Sequence, residues 1–296
     1  MSDNPLLALS RAMADAVEMI GRSLVMVNGR PRQPATGIAY EADLVLTADH
    51  VLEREDKLTV QTYDERVLNA QIVGRDASTD LAVLRVSGLS VPVVGPAAQA
   101  RVGQLALAVA RPSPEGVMAS LGVVSKVGGP LRAGRGTSLE RYIQTDAVPY
   151  PGFSGGALVD ASGAPFGLFT TGFGRGLAIA IPMALALQVA QTLTRQGYVK
   201  RGYLGIISQQ VKLPPAQRSG GQESGLLVVR VEENSPAERG GMLIGDILLA
   251  VEEQPIRDAD DLIAALSGDR VGKPVTMRII RGGVLQTLTV VVGQKP

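Results

Sequence analysis

A serine in a glycine-rich turn, a single histidine and a nearby aspartate are the residues of this chain whose types and order could do covalent chemistry. Gly152-Phe153-Ser154-Gly155-Gly156 reads as a tight turn. Its glycines accept backbone angles that other residues avoid. Such a turn exposes the Ser154 hydroxyl and can aim the N–H groups of Gly152 and Ser154 at one spot, where an oxyanion would form. The pattern is weak alone and gains force from two stretches upstream. His50 lies in Leu46-Thr47-Ala48-Asp49-His50-Val51, and Asp80 lies in Asp76-Ala77-Ser78-Thr79-Asp80-Leu81-Ala82-Val83-Leu84. The chemistry would be acyl transfer: a base takes the serine proton during attack on a carbonyl and returns it to the leaving group, while a carboxylate orients the base. Asp49 and Asp76 rival Asp80 for the carboxylate. Neighbours in a strand point to opposite faces, which makes an Asp49–His50 pairing awkward, so Asp49 reads as a solvated or turn residue. Between Asp76 and Asp80 the residues alone do not choose.

Composition narrows the alternatives. The chain has 296 residues, 45% of them hydrophobic, which is enough for two domains with separate cores. Lys+Arg 29 against Asp+Glu 28 leaves a net charge of +1, and aromatics are only 3% with no Trp. Neither electrostatic capture of nucleic acid nor a base-stacking surface follows. There is no cysteine and one histidine. Disulfides, thiolate catalysis and Cys-ligated metals are excluded, a single histidine argues against a His-based zinc site, and no metal or cofactor is expected. A lone histidine in an apolar stretch is by itself an ordinary hydrogen-bonded residue; only the two other motifs make it a candidate base.

No segment reads as membrane-spanning; the best, 177–187, is about half the needed length and contains Pro182. Leu6, Leu9, Met13, Val17 and Ile20 follow helical spacing, with Asn4 as cap, Pro5 in the first turn and Gly21 as stop. That helix either packs on the body of the protein or meets another subunit. From 23 the chain reads as about a dozen short strands: 24–27, 36–40, 44–48, 57–62, 67–74, 82–86, 105–110, 118–127, 142–145, 157–159, 165–171 and 178–181. This spacing predicts a sandwich or barrels, and two six-stranded barrels with the reactive groups at their junction fit the count. A helix over 183–195 follows. Near Lys200 a second unit begins, with strands at 202–206, 225–231, 246–251, 275–281 and 285–292, helices at 235–240 and 259–266, and a Pro/Gly/Gln-rich, mobile loop at 214–224.

In this order the motifs resemble the HtrA (Deg) family of serine proteases, in which a chymotrypsin-like domain precedes PDZ domains. The resemblance spans nearly the whole chain. It rests on the His50, Asp80 and Ser154 stretches, on Ile143-Gln144-Thr145-Asp146-Ala147, and on Tyr203-Leu204-Gly205-Ile206, Ser235-Pro236-Ala237-Glu238-Arg239-Gly240-Gly241-Met242 and Gly245-Asp246-Ile247-Leu248. It implies a mainly β chain: an N-terminal helical segment at 1–22, a chymotrypsin-like double β-barrel at 23–198, and a small α+β PDZ domain at 199–296. It implies His50 as base, Asp80 as its carboxylate, Ser154 as nucleophile, and the Gly152 and Ser154 N–H groups as oxyanion hole. Two positions depart from the family pattern: Phe153 replaces Asn and Ala157 replaces Pro. The lost Asn removes local hydrogen bonds around the turn, and an apolar anchor for Phe153 would compensate.

The activity implied is ATP-independent endoproteolysis of misfolded or unfolded polypeptides, a role in protein quality control. Trypsin-like enzymes carry a carboxylate six residues before the nucleophile; here that position is Val148. With the uncharged stretch Ala178, Ile179, Ala180 and Ile181 along the pocket wall, cleavage after small or medium aliphatic residues is expected. The alternative for these residues is barrel core, which holds for alternate positions of any strand. In the PDZ unit, N–H groups around Tyr203, Leu204, Gly205 and Ile206 are expected to hold a peptide C-terminus, with Leu204, Ile206, Leu262 and Leu266 as pocket or as domain core, and Arg201 adding charge. The glycine-rich, basic loop at 128–136 is either a regulatory segment or an ordinary hairpin tip. Homotrimers or multiples of them are expected partners. The alternative function is a latent or inactive chaperone or peptide-binding scaffold of the same fold. An esterase would need a strand-turn-helix elbow at the serine, whereas 159–163 reads as strand and turn. As given, the sequence starts at Met1 without an export signal, which predicts a cytoplasmic protein; a natural start further upstream would make it periplasmic or extracellular.

Overall fold

The computed structural model describes residues 4–94, 99–134, 137–174, 177–198, 202–218, 221–266 and 270–294. They form two compact units, 1–199 and 200–296. The first opens with helix α1 (Pro5–Gly21), whose Asn4 side chain accepts the Leu6 N–H at 3.1 Å. Ala16 and Ile20 are buried and Met13 and Val17 pack beside them, while Leu6 and Leu9 are exposed. Only the C-terminal half of the predicted apolar stripe is therefore docked.

Strands β1 (Leu24–Asn28), β2 (Ala35–Glu41), β3 (Leu44–Ala48), β4 (Thr59–Gln61), β5 (Val67–Asp76) and β6 (Leu81–Val86) close into a barrel in the order β1-β2-β3-β6-β5-β4. A second barrel follows from β7 (Leu105–Ser113), β8 (Gly116–Gly128), β11 (Tyr142–Thr145), β12 (Ala157–Val159), β13 (Pro165–Thr170) and β14 (Ala178–Pro182). Between β8 and β11 in sequence, β9 (Leu131–Gly134) and β10 (Thr137–Leu139) form a two-stranded hairpin. The 128–136 segment is thus a hairpin whose Arg135 and Gly136 lie outside the described residues. Helix α2 (Met183–Gln196) closes the unit with Gly197 in the left-handed conformation at its end.

The near-continuous apolar runs of β1–β3 follow from burial on both faces. Val25, Val27, Ala39 and Val45 join one cluster of the first barrel; their neighbours Leu24, Ile38, Leu44 and Leu46 join a second cluster that includes residues of the other barrel and of both helices. The period of two sorts them.

The second unit holds β15 (Gly202–Tyr203), β16 (Ile206–Lys212), β17 (Ser224–Val231), α3 (Pro236–Arg239), β18 (Ile247–Val251), β19 (Gln254–Pro255), α4 (Ala259–Leu266), β20 (Pro274–Arg281), β21 (Val284–Val291) and β22 (Gly293–Gln294). Its main sheet runs β16-β17-β18-β20-β21. The polar-rich β16, Ile-Ile-Ser-Gln-Gln-Val-Lys, is an edge strand and gave no clear alternation in sequence. The loop after it is tied down: the Leu213 N–H donates to Glu223 O at 2.8 Å, and Gln222 Nε2 donates to Leu249 O and Ile256 O at 3.0 Å each. Of the loop expected to be mobile, 219–220 lie outside the described residues, as does Arg201. The buried Asp246 receives two bonds from Arg281, at 2.8 and 2.7 Å, and that charged partner raises the Arg281 pKa. No helix among the described residues is long and apolar enough to cross a membrane.

Candidate active site

The register of the first barrel brings His50 and Asp80 together. Ala48 at the end of β3 pairs with Leu81 at the start of β6, so the residues just beyond the ladder face each other. His50 sits in a 3-10 turn, Asp49–Val51, rather than in a strand. Its Nδ1 lies 2.8 Å from Asp80 Oδ2 and 3.0 Å from Oδ1, and its backbone N–H donates to Oδ1 at 2.9 Å. Asp80 adopts a φ of +57°, uncommon for a residue with a Cβ, and is buried. One carboxylate thus accepts from both the ring and the backbone of the same histidine, which fixes the imidazole orientation. Thr170, at the end of β13, donates its hydroxyl to Asp80 Oδ2. Gly172 leaves room for the pair, since a Cβ there would collide with the Asp80 carboxylate and crowd His50 Nδ1.

The rival carboxylates have other partners. Asp49 is buried, not solvated: it binds Arg75 Nε at 2.6 Å, and Arg75 also donates to the Asp49 carbonyl at 3.2 Å. Asp76 accepts from the Ser78 N–H and hydroxyl at 3.1 and 2.7 Å and from the Thr79 hydroxyl at 2.7 Å, a turn that presents Asp80.

The serine turn is stitched to β13. The Gly155 N–H donates to Phe169 O at 2.8 Å, and the Phe169 N–H donates to Gly156 O at 2.7 Å. Gly152 and Gly155 both have φ of +86°. A side chain on Gly155 would collide with Thr36 O, and one on Gly152 with Pro112. Thr36 steadies the turn further, donating its hydroxyl to Gly152 O at 2.9 Å while its N–H donates to Ser154 O at 3.1 Å. Arg111 supports Thr36 through its backbone N–H at 3.0 Å, and its guanidinium, whose pKa burial lowers, caps Leu24 O and Gly21 O.

Within 152–156 the N–H groups divide into two sets. Phe153 donates to Tyr150 O at 3.1 Å, Gly155 to Phe169 O, and Gly156 to Phe153 O at 2.9 Å. Among the described residues no acceptor is found for the N–H of Gly152 or Ser154. The two donors expected of an oxyanion hole are the two left over. Phe153 is 1% exposed, edge-on to Tyr150 with ring centroids 5.5 Å apart and to Phe169 at 6.3 Å. The apolar anchor that could replace the missing Asn is therefore present.

The Ser154 hydroxyl lies 3.1 Å from Thr171 Oγ1 and accepts the Thr171 N–H at 3.4 Å; no hydrogen bond among the described residues joins it to His50. Consecutive threonines at the end of β13 thus reach Asp80 and Ser154, which places the serine turn beside the His–Asp pair at the junction of the barrels.

The expected pocket residues separate. Val148 is half-exposed, with its N–H donating to Ser120 Oγ at 2.8 Å. Ala178 and Ala180 pack in the cluster of Ala147, Phe153 and Phe169, whereas Ile179 and Ile181 face the opposite way into the core shared with α2. In the PDZ unit, Leu204, Leu262 and Leu266 are buried together in the domain core with Ile206 packed beside them. Gly205 has a φ of +77°, its carbonyl accepts the Glu232 N–H at 2.8 Å, and Leu204 O accepts the Ala237 N–H at 2.9 Å. Among the described residues the N–H groups of Leu204 and Gly205 have no assigned acceptor. Tyr203 donates its hydroxyl to Glu232, and that bond raises its pKa.

Thr36, Arg75, Thr170, Thr171 and Gly172 were not singled out by sequence. Each acts through spatial neighbours far along the chain, and none carries a local motif.

A two-barrel fold with a serine turn beside a His–Asp pair, followed by a PDZ fold, defines a trypsin-like serine peptidase joined to a PDZ module. Comparison with known proteins agrees. Residues 35–168 match the trypsin-like peptidase domain family and 202–292 the PDZ domain family. Serine endoprotease DegS of Haemophilus influenzae is 32% identical over 273 residues, covering 88% of this chain and 77% of that protein. A DegP-like probable periplasmic serine endoprotease of Ectopseudomonas mendocina is 35% identical over 280 residues, covering 90% of this chain and 58% of that one. The structure of the HtrA-type protease AlgW with a decapeptide superposes with a TM-score of 0.78 at 30% identity, covering 96% of this chain and 99% of that one. The chain belongs to the HtrA family of bacterial serine endoproteases. It spans a little over half the length of the DegP-like relatives it matches. The cytoplasmic expectation finds no support, since those relatives are named as periplasmic.

Proposed function

We propose that this protein is a serine endopeptidase in which His50 is the general base, Asp80 holds its tautomer, Ser154 is the nucleophile, and the N–H groups of Gly152 and Ser154 stabilise the tetrahedral oxyanion. The observation that carries it is the pair of hydrogen-bond contacts made by consecutive threonines, Thr170 with Asp80 and Thr171 with Ser154, which joins the His–Asp pair of one barrel to the serine turn of the other. Attack on a peptide carbonyl would transfer the Ser154 proton to His50 and then to the leaving amine, giving an acyl-enzyme that water hydrolyses by the same route.

The substrates are unfolded or misfolded polypeptides, cut after small or medium aliphatic residues, because the uncharged Val148 stands at the position that selects basic residues in trypsin-like enzymes. The PDZ unit captures peptide C-termini at the unclaimed Leu204 and Gly205 N–H groups, and thereby feeds or regulates the protease. The protein works as a homotrimer or a multiple of one; the exposed Leu6, Leu7, Leu9 and Met19 of α1 offer apolar surface for subunit contacts. Its compartment is the periplasm, by analogy with the named relatives.

A second reading, a non-catalytic peptide-binding scaffold, draws on one observation: the Ser154 hydroxyl bonds Thr171 rather than His50. Casein hydrolysis by wild type and by Ser154→Ala, with mass spectrometry of the products, separates the two. The protease gives new C-termini at aliphatic residues and loses them in the variant. A wild type that cuts no more than the variant, even with added C-terminal peptides, leaves the scaffold.

A further inference from the structure

Ser154 Oγ carries one proton and can donate it to one acceptor at a time. It sits 3.1 Å from Thr171 Oγ1, and it also accepts the Thr171 N–H at 3.4 Å. His50 is held from behind by Asp80 through three contacts of 2.8–3.0 Å, while its side chain is one-third exposed on the other side. The base is thus oriented and the nucleophile is not bonded to it. Thr171 is exposed, and its position is set by β13: Phe169 pairs with both Gly155 and Gly156 of the serine turn, and Thr170 is anchored on Asp80.

We propose that Thr171 is a positioning residue that latches the Ser154 hydroxyl away from His50 in the free protein, so that its hydroxyl competes with the imidazole for the serine proton. This rests on Ser154 being the nucleophile. The latch lowers the resting reactivity of the serine without altering the His–Asp pair. Engagement of Ser154 by His50 then requires the serine hydroxyl to leave Thr171. A single neutral hydrogen bond competing at this position corresponds to about a three- to tenfold effect on the reactive population.

The test is the second-order rate of labelling by a fluorophosphonate probe, measured across pH for wild type, Thr171→Val, Thr171→Ala and Thr171→Ser, with thermal unfolding of each. The expected result is a three- to tenfold faster labelling of Thr171→Val and Thr171→Ala, about the size of one hydrogen bond. The pH midpoint and Tm stay those of wild type, and Thr171→Ser, which keeps the hydroxyl, returns close to the wild-type rate. A general loosening of the turn would move Tm and would not be rescued by serine. Equal or slower labelling of both hydroxyl-free variants at unchanged Tm overturns the latch while leaving the nucleophile intact. No labelling of Ser154 in any variant overturns the nucleophile and the latch together.

Discussion

Phe153→Ala would separate the packing of the serine turn from its chemistry. Phe153 is 1% exposed and meets Tyr150 and Phe169 edge-on at 5.5 and 6.3 Å. Removing a buried phenyl ring costs about 3–5 kcal/mol through lost transfer free energy and the cavity left behind. For a unit of this size, about 4 kcal/mol lowers the midpoint of thermal unfolding by roughly 8–16 °C. The activity consequence is separate. The Phe153 peptide lies between the two unclaimed N–H donors, so a ring that no longer pins it lets Gly152 or Ser154 turn away. Loss of one such donor costs about 10²- to 10³-fold in kcat. Phe153→Leu keeps most of the apolar volume and is expected to cost about 1–1.5 kcal/mol, with a smaller fall in kcat. The assay pairs differential scanning calorimetry with steady-state hydrolysis of an unfolded substrate below the lowered midpoint. A shift under about 2 °C together with wild-type kcat would refute the argument that the ring replaces the missing Asn.

Three further predictions follow from the contacts. Thr170→Val deletes the buried hydroxyl that Asp80 accepts, a hydrogen bond to a charged group, and is expected to lower kcat about 10- to 100-fold with little change in KM; an unchanged kcat would remove Thr170 from the site. Arg281→Ala leaves the buried Asp246 carboxylate without its charged partner, with the Leu243 N–H at 2.8 Å still donating to it, and should destabilise the PDZ unit by about 3 kcal/mol, read by chemical denaturation of the full chain with protease activity as a control. Burial raises the Tyr40 pKa from its ordinary 10.0 by more than its contact with Thr194 lowers it. A raised folded-state pKa means stability fully present below about pH 10 and lost as pH rises through the folded value, so alkaline unfolding should set in above pH 10 and be relieved in Tyr40→Phe.

Much of this fold was legible because barrel strands buried on both faces read as apolar runs, and because turn residues punctuate them. The strands at 44–48, 142–145 and 157–159 and the helix at 259–266 have the expected bounds. The residues that frame the site were not legible. His50 falls in a 3-10 turn that the strand-like Leu46-Thr47-Ala48 conceals, so strand alternation does not govern Asp49 and His50; Asp49 is a residue of that turn, buried on Arg75 rather than solvated. Thr36 acts on Gly152, 116 positions away, and Thr170 on Asp80, 90 positions away, and no local pattern encodes that. Period-two sorting of 178–181 divides the predicted pocket wall, sending Ile179 and Ile181 to the other side of the sheet. In the PDZ unit, Leu262 and Leu266 carry the apolar periodicity of a core helix, which a peptide pocket would share.

The central claim is that Ser154 is a nucleophile activated by His50. It is tested most directly by peptide mapping after incubation with a fluorophosphonate probe, comparing wild type, His50→Ala and Ser154→Ala. The account predicts one adduct, on Ser154, formed at least about 1,000-fold more slowly without His50 and absent without the serine. An adduct on another residue, or labelling of Ser154 at the wild-type rate in His50→Ala, would contradict it.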